Sequence, residues 1–377
     1  MTTQPIHLVP SGDGVESIPT VIIGGGQAGL VMGYRLQRLG EPFVILDAQP
    51  RIGDTWRNRW DSLRLFTPPK LSSLPGWPMQ LSTFPTHDEM ADYLEAYAHH
   101  FNLPMRSGVR VNQLSRSAEG FRLETSQGEL QAERIVIATG GYNTPFTPDL
   151  AGELAPEITQ LHSAAYRNPS QLEGAVLVVG AGNSGAEIAL EAVKSGHPTW
   201  LAGRHPGQVP FRLETRRARV LLPIVGFVFR KVLTLDTPMG RKVQRPRIEH
   251  GHNLVRTKLS DLQAAGAERV GRIDHVRNGL PATQDDDVLE PATVVWCTGY
   301  RTDYSWIDFP VAGEDGYPIN ERGVSPERGL YFLGLEFQYA FASATITGLD
   351  QDARHLVRAM AKQPSARVVA TPQSAAA

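Results

Sequence analysis

The sequence predicts an α/β protein of two wound strand-helix-strand units, and three observations carry that prediction. A glycine-rich turn, Gly24-Gly25-Gly26-Gln27-Ala28-Gly29, follows the apolar run Val21-Ile22-Ile23. A second, Gly180-Ala181-Gly182-Asn183-Ser184-Gly185, follows Ala175-Val176-Leu177-Val178-Val179, 156 residues further on. Two more apolar runs, at 134–140 and 293–299, break into Thr-Gly, the mark of a buried strand ending where backbone approaches a ligand. Each turn fits G-x-G-x-x-G between a buried strand and an Ala-rich helix. In that setting the glycines allow a tight turn, close approach to a pyrophosphate and tight helix packing. The expected architecture is two dinucleotide-binding, Rossmann-like domains of the three-layer ββα type.

In the first unit a strand is expected at 20–23, a helix at 28–39 ended by Gly40, and a strand at 43–46. Gly24, Gly26 and Gly29 bring backbone N–H groups toward a pyrophosphate, with Gln27 and Ala28 opening the helix. Asp47, 18 residues after Gly29, stands where a carboxylate accepts from ribose hydroxyls. A tight turn with a surface aspartate is the plainer meaning. The register of strand, glycines, helix and acid favours the nucleotide. Segments 109–111 and 121–125 alternate like strands of a small antiparallel meander, and the run at 134–137 enters Ala138-Thr139-Gly140.

The second unit repeats the plan with a strand at 176–179, a helix at 184–194 and a strand at 199–202. Gly180, Gly182, Asn183, Ser184 and Gly185 form its phosphate turn. It ends in Gly203-Arg204-His205, with Arg204 19 residues past Gly185. A cation there meets a 2′-phosphate, with His205 as a helper; a solvated arginine at a strand end is the other meaning. The acidic unit therefore suits FAD and the basic unit NADPH in preference to NADH. The run at 293–296 then enters Cys297-Thr298-Gly299. These markers place a discontinuous FAD domain at 1–157 and 291–377, with an NADPH domain at 158–290 inserted in it. Segments 1–16 and 363–377 are expected to be flexible.

The 377 residues suffice for two cores, and a net charge of −2 argues against nucleic acid as a partner. A single cysteine, Cys297, excludes an intrachain disulfide and a C-x-x-C redox pair. The histidines at 87, 99, 100, 250 and 252 lack zinc-type spacing, so no metal site is expected. No secretory signal and no apolar stretch long enough to span a bilayer is legible, so the expectation is a cytoplasmic protein without membrane contact. Residues 208–247 are the least readable. Basic and apolar blocks there suit a mobile lid at a substrate entrance or a membrane surface, and equally a helical excursion packed on the NADPH domain. Trp56, Trp60, Phe66, Trp77 and Phe84 lie in an irregular, Pro-rich stretch, where they either cover a flavin face or pack a loop layer; Trp56 and Phe66 are the candidates for cofactor contact.

Gly53-Asp54-Thr55-Trp56-Arg57 and Trp60-Asp61-Ser62-Leu63-Arg64-Leu65-Phe66-Thr67-Pro68, with both glycine turns and the two Thr-Gly strand ends, resemble flavin-containing monooxygenases, in particular the bacterial branch similar to plant YUCCA enzymes. The resemblance runs from about residue 20 to 355. His162 and Tyr166 match part of the family signature, while Pro156 and Ile158 replace its Phe and Gly. The resemblance implies cofactor contacts at Ala48, Gly53, Thr55, Trp56, Arg64, Phe66, Thr67 and Val111. It also implies that Gln338, Phe341 and Ser343 line a substrate pocket beside the flavin.

The implied activity is NADPH-dependent insertion of one oxygen atom from O2 into a small organic substrate through a C4a-hydroperoxyflavin. The chemistry would be borne by the flavin, so no side chain is assigned as catalytic. The alternatives are a flavin-dependent NAD(P)H oxidase or reductase without oxygen transfer, and a redox-sensing module without turnover. A homodimer is left open, as is the substrate atom: sulfur, nitrogen or a carbonyl carbon.

Overall fold

Runs of Val, Ile and Leu too uniform to leave one face wet must be covered on both sides, and they form the centres of two sheets. The computed structural model describes residues 9–10, 15–213, 215–250 and 253–362. In the first sheet the order is Met105–Ser107, Val44–Asp47, Glu16–Ile23, Gly128–Ile137, then Gly120–Thr125 and Val111–Ser117. The first four strands are mutually parallel and the last two form the antiparallel meander. The upper end of Gly128–Ile137 pairs instead with Leu330–Phe332, so this long strand belongs to both β layers. One face packs on the Gln27–Arg38, His87–His100 and Ile346–Lys362 helices, and the other on the meander with Phe309 and Val311. Val21, Ile22, Leu30 and Ile45 are fully buried, each contributing roughly 1.5–3 kcal/mol.

The second sheet is parallel throughout, in the order Glu268–Val270, Thr199–Ala202, Val176–Val179, Thr293–Trp296, Thr159–His162. In each sheet the strand before the glycine turn lies where the winding reverses. That is where open α/β sheets bind ligands, outside the carboxyl ends of their strands.

Three boundaries differ from the sequence reading. Thr293–Trp296, placed with the first domain, pairs with Val176–Val179 of the second. Ala151, Leu154 and Ile158 pack in the second core with Leu177 and Trp296, so 149–157 also belongs there. Both segments are short apolar runs, and nothing local says which sheet will take them. Val9 and Pro10, inside the expected flexible arm, pair antiparallel with Ser17 and Glu16. The rest of the arm up to residue 14, and the tail from 363, lie outside the described residues.

The 208–247 excursion also follows a path of its own. It forms the Arg216–Phe227 helix, a π-helical turn at Val228–Val232 and the Pro238–His250 helix. It docks on the returning C-terminal segment of the first domain, not only on the second. Leu235 N–H donates to Tyr339 O at 2.8 Å, Phe341 N–H to Leu233 O at 2.9 Å, and the Phe229 and Phe341 rings lie 4.2 Å apart. No helix among the described residues is long and apolar enough to cross a membrane.

Candidate nucleotide cleft

Both turns share one geometry. Gly24 (φ 108°) could carry no Cβ, which would lie 2.5 Å from Ala138 O. A Cβ on Gly29 would lie 1.9 Å from Gly24 O, whereas one on Gly26 would meet nothing within 4 Å. In the second turn Gly180 (φ 113°) faces Cys297 O at 2.2 Å, Gly185 faces Gly180 O at 1.8 Å, and Gly182 again faces open space. First and third glycines let the chain close on itself. The middle one leaves a hollow at a helix N-terminus, where unpaired N–H groups attract an anion. The residues present fit a dinucleotide pyrophosphate in both turns.

Asp47 ends its strand beside the first turn, accepting from Gly25 N–H and Gln49 N–H, each at 2.8 Å. Burial raises its pKa against the lowering effect of those two bonds. Gly25 makes the contact possible, because a Cβ there would lie 2.5 Å from Asp47 Oδ2. Ala48 is exposed next to it, and the chain returns alongside, Val109 N–H donating to Asp47 O at 2.8 Å two residues before the half-buried Val111. Arg204 is exposed just after Gly203, and His205 Nδ1 accepts from Gly207 N–H at 2.9 Å. Arg269, absent from the sequence reading, donates to Gly203 O at 2.8 Å from the neighbouring strand. A second cation thus stands at the same strand end. Only the strand pairing reveals it.

Hydrogen bonds from each turn converge on the 54–66 stretch. Asn183 opens the second helix, its amide donating to Asn253 O at 3.0 Å and accepting from Val255 N–H at 2.8 Å. The next residue, Arg256, crosses to the first domain and donates to Arg64 O and Leu65 O, both at 2.8 Å, beneath the rings of Phe66 and Phe84. From the same 54–66 stretch Trp56 Nε1 donates to Gln27 Oε1 at 3.2 Å, in the first turn. Gly53 (φ 89°) starts the Asp54–Arg57 helix against Ala91 O, with Thr55 exposed on it.

The two Thr-Gly ends meet near Arg59, which donates to Tyr300 Oη at 2.8 Å and lies over the rings of Tyr142 and Tyr300. Thr139 and Gly140 lie at the first end. At the second, Thr298 donates to Phe146 O and Gly299 O bonds His162 Nε2 at 3.0 Å. Burial first, then Arg59, lowers the His162 pKa against that bond, so the ring is neutral at pH 7.

Other candidates make contacts within the fold. Trp60 packs in the second core and Trp77 stacks on Tyr93 and His100. Thr67 Oγ1 bonds Ser72 Oγ at 2.7 Å, and Arg64 donates to Phe84 O at 3.1 Å. Gln338 Oε1 accepts from Gly334 and Leu335 N–H, and Ser343 Oγ from Tyr339 and Ala340 N–H. Those two expected pocket residues are buried and close a turn, while Phe341 packs on the excursion.

Among the described residues no cluster of three or more His, Cys, Asp or Glu could hold a metal ion. Burial pushes the Cys297 thiol up to about 12. A thiol-specific disulfide reagent at pH 8 should therefore react much more slowly with the native protein, where Cys297 is half-buried and its thiol protonated, than with the urea-unfolded chain. Rapid stoichiometric labelling would contradict this.

Residues 21–217 match the model of the pyridine nucleotide-disulphide oxidoreductase family. The chain is 38% identical over 345 residues to an uncharacterized CzcO-like oxidoreductase of Geobacillus kaustophilus, covering 90% of this chain and 97% of that one. It is 34% identical to indole-3-pyruvate monooxygenase YUCCA1 of Oryza sativa, over 90% of both chains. A flavin-containing monooxygenase from Stenotrophomonas maltophilia superposes with a TM-score of 0.75 at 28% identity, covering 92% of this chain and 99% of that one.

Proposed function

This chain belongs to the flavin monooxygenase family, and from that premise we propose that it is an FAD- and NADPH-dependent monooxygenase transferring one oxygen atom of O2 to a small organic substrate. The observation that carries this reading is the pair of matching phosphate hollows, with Arg256, beside the second, bonded to the 54–66 stretch whose Trp56 bonds Gln27 in the first. FAD and NADPH are the cofactors; when bound, they supply the oxygen-activating ring and the hydride. The chain's own residues bind, orient and exclude water. Backbone N–H groups at the starts of the Gln27–Arg38 and Asn183–Lys194 helices hold the two pyrophosphates, and Asp47 holds the ribose of the first. Trp56 and Phe66 keep water from the flavin face. Neutral His162, fixed on Gly299 O, positions the second Thr-Gly end without exchanging a proton.

Arg204 selects NADPH by its charge. Arg204→Ala should raise the KM for NADPH about tenfold and leave that for NADH unchanged. Equal effects on both would defeat the 2′-phosphate assignment.

The whole reading is tested on purified protein. It should be yellow, consume NADPH in air, and transfer label from isotopic O2 to product with one of a panel of sulfides, amines, ketones and 2-oxo acids. NADPH consumption that yields only hydrogen peroxide with every compound would make it an oxidase instead.

A further inference from the structure

A cavity of ≈ 520 Å³ opens between the Ile346–Lys362 helix, the Val228–Val232 turn and the hairpin tip at Arg322. Five permanent cations line it: Arg230, Lys231, Arg322, Arg354 and Arg358. The one carboxylate in the wall, Asp350, is already shared between Arg354 Nε at 3.0 Å and Arg35 Nε at 2.6 Å. Lys231 Nζ reaches only a neutral partner, Gln351 Oε1, at 2.8 Å. Among the described residues no carboxylate pairs with Arg230, Arg322 or Arg358.

Arg322 is held in place by the backbone. Bridges between Glu321 and Val324 close a two-residue turn in which both Arg322 (φ 52°) and Gly323 (φ 87°) are left-handed, a place usually given to Asn or Asp. The guanidinium lies 3.5 Å from the Tyr339 ring centroid, and its buried Nε has no hydrogen-bond partner. His355, in the same wall, has its pKa lowered first by burial and then by Arg322, Arg358 and Lys362, against the opposing Glu321. Like charges gathered in one hollow repel, so the arrangement is most stable with an anion inside.

We propose that this cavity binds a small ligand bearing two or more phosphate charges, held by the forked donors of Arg230, Arg322 and Arg358. A single carboxylate would leave most of the charge unmatched. Guanidinium groups suit phosphate oxygens in pairs, and the volume lies in the range of small-molecule sites. The site does not depend on the proposed monooxygenase activity.

The test is calorimetric titration of the full chain with inorganic pyrophosphate, at matched ionic strength and with saturating FAD and NADP⁺ so that the two nucleotide hollows do not compete. Saturable one-site binding is expected. Arg230→Gln and Arg358→Gln, checked for unchanged melting temperature, should each weaken it about tenfold, while Arg277→Gln on the other domain should not. Vesicles of phosphatidylcholine with phosphatidic acid separate the two sources of the phosphate. Sedimentation competed by pyrophosphate identifies a lipid headgroup; pyrophosphate binding without sedimentation identifies a soluble compound. No saturable binding of either probe, or binding unchanged in both arginine variants, overturns the proposal.

Discussion

In a Gly182→Val variant the protein should purify folded and yellow, while its KM for NADPH rises by roughly a hundredfold. Gly182 caps its helix at φ −72°, a conformation open to any residue, and an added Cβ meets nothing within 4 Å. The chain therefore loses only the modest cap preference for glycine, about 1 kcal/mol. The branched side chain instead fills the hollow in front of the helix N-terminus, the proposed pyrophosphate site. Gly185→Ala has the opposite character, since its Cβ would sit 1.8 Å from Gly180 O and neither backbone segment yields easily. A stability loss of about 2–4 kcal/mol is expected, read as a lower urea midpoint. The two variants separate room for the ligand from room for the chain. If Gly182→Val left the KM for NADPH within a factor of two, the second turn would not be a phosphate cradle.

The glycine turns are legible because each is local: strand, turn and helix adjoin in sequence, and steric need leaves glycine as the only solution at their first and third glycines. The positions of Asp47 and Arg204 beside those turns are legible for the same reason, since they sit at fixed offsets from them. What failed was non-local. Val294 and Val295 look like any buried strand, and only pairing with Leu177 and Val178 assigns them to the second sheet. Trp60, read as an aromatic in an irregular loop, turns into the second core beside Tyr166 and Val178. Arg269 reaches Gly203 from a strand whose three residues, Glu268–Val270, carry no clear periodicity. Arg256 follows no motif at all. Its role depends on two carbonyl groups 191 and 192 residues away in the chain.

That same arginine sets up the second large effect. Glu187, one turn into the second helix, keeps a buried Oε1 with no hydrogen-bond partner, and burial raises its pKa from 4.5 to about 7. Arg256 pulls the value down and Glu191 pushes it up. Between pH 4.5 and about 7 the folded chain holds a proton that the unfolded chain has released. Stability therefore falls as pH rises through that window, and the penalty persists above it. Glu187→Gln removes the ionisation, so its urea midpoint should exceed that of the parent at pH 8 and match it at pH 5. Arg256→Met strips Arg64 O and Leu65 O of a donor and takes the nearest cation from Glu187. A loss of about 2–4 kcal/mol is expected at pH 8, and a smaller one at pH 5, where the carboxyl is already neutral. In the Glu187→Gln background that pH-dependent excess should vanish, leaving only the part due to the two carbonyl groups. Identical pH profiles for Glu187→Gln and the parent would mean that the carboxylate is solvated in solution, and that Arg256 joins the two domains through its backbone acceptors alone.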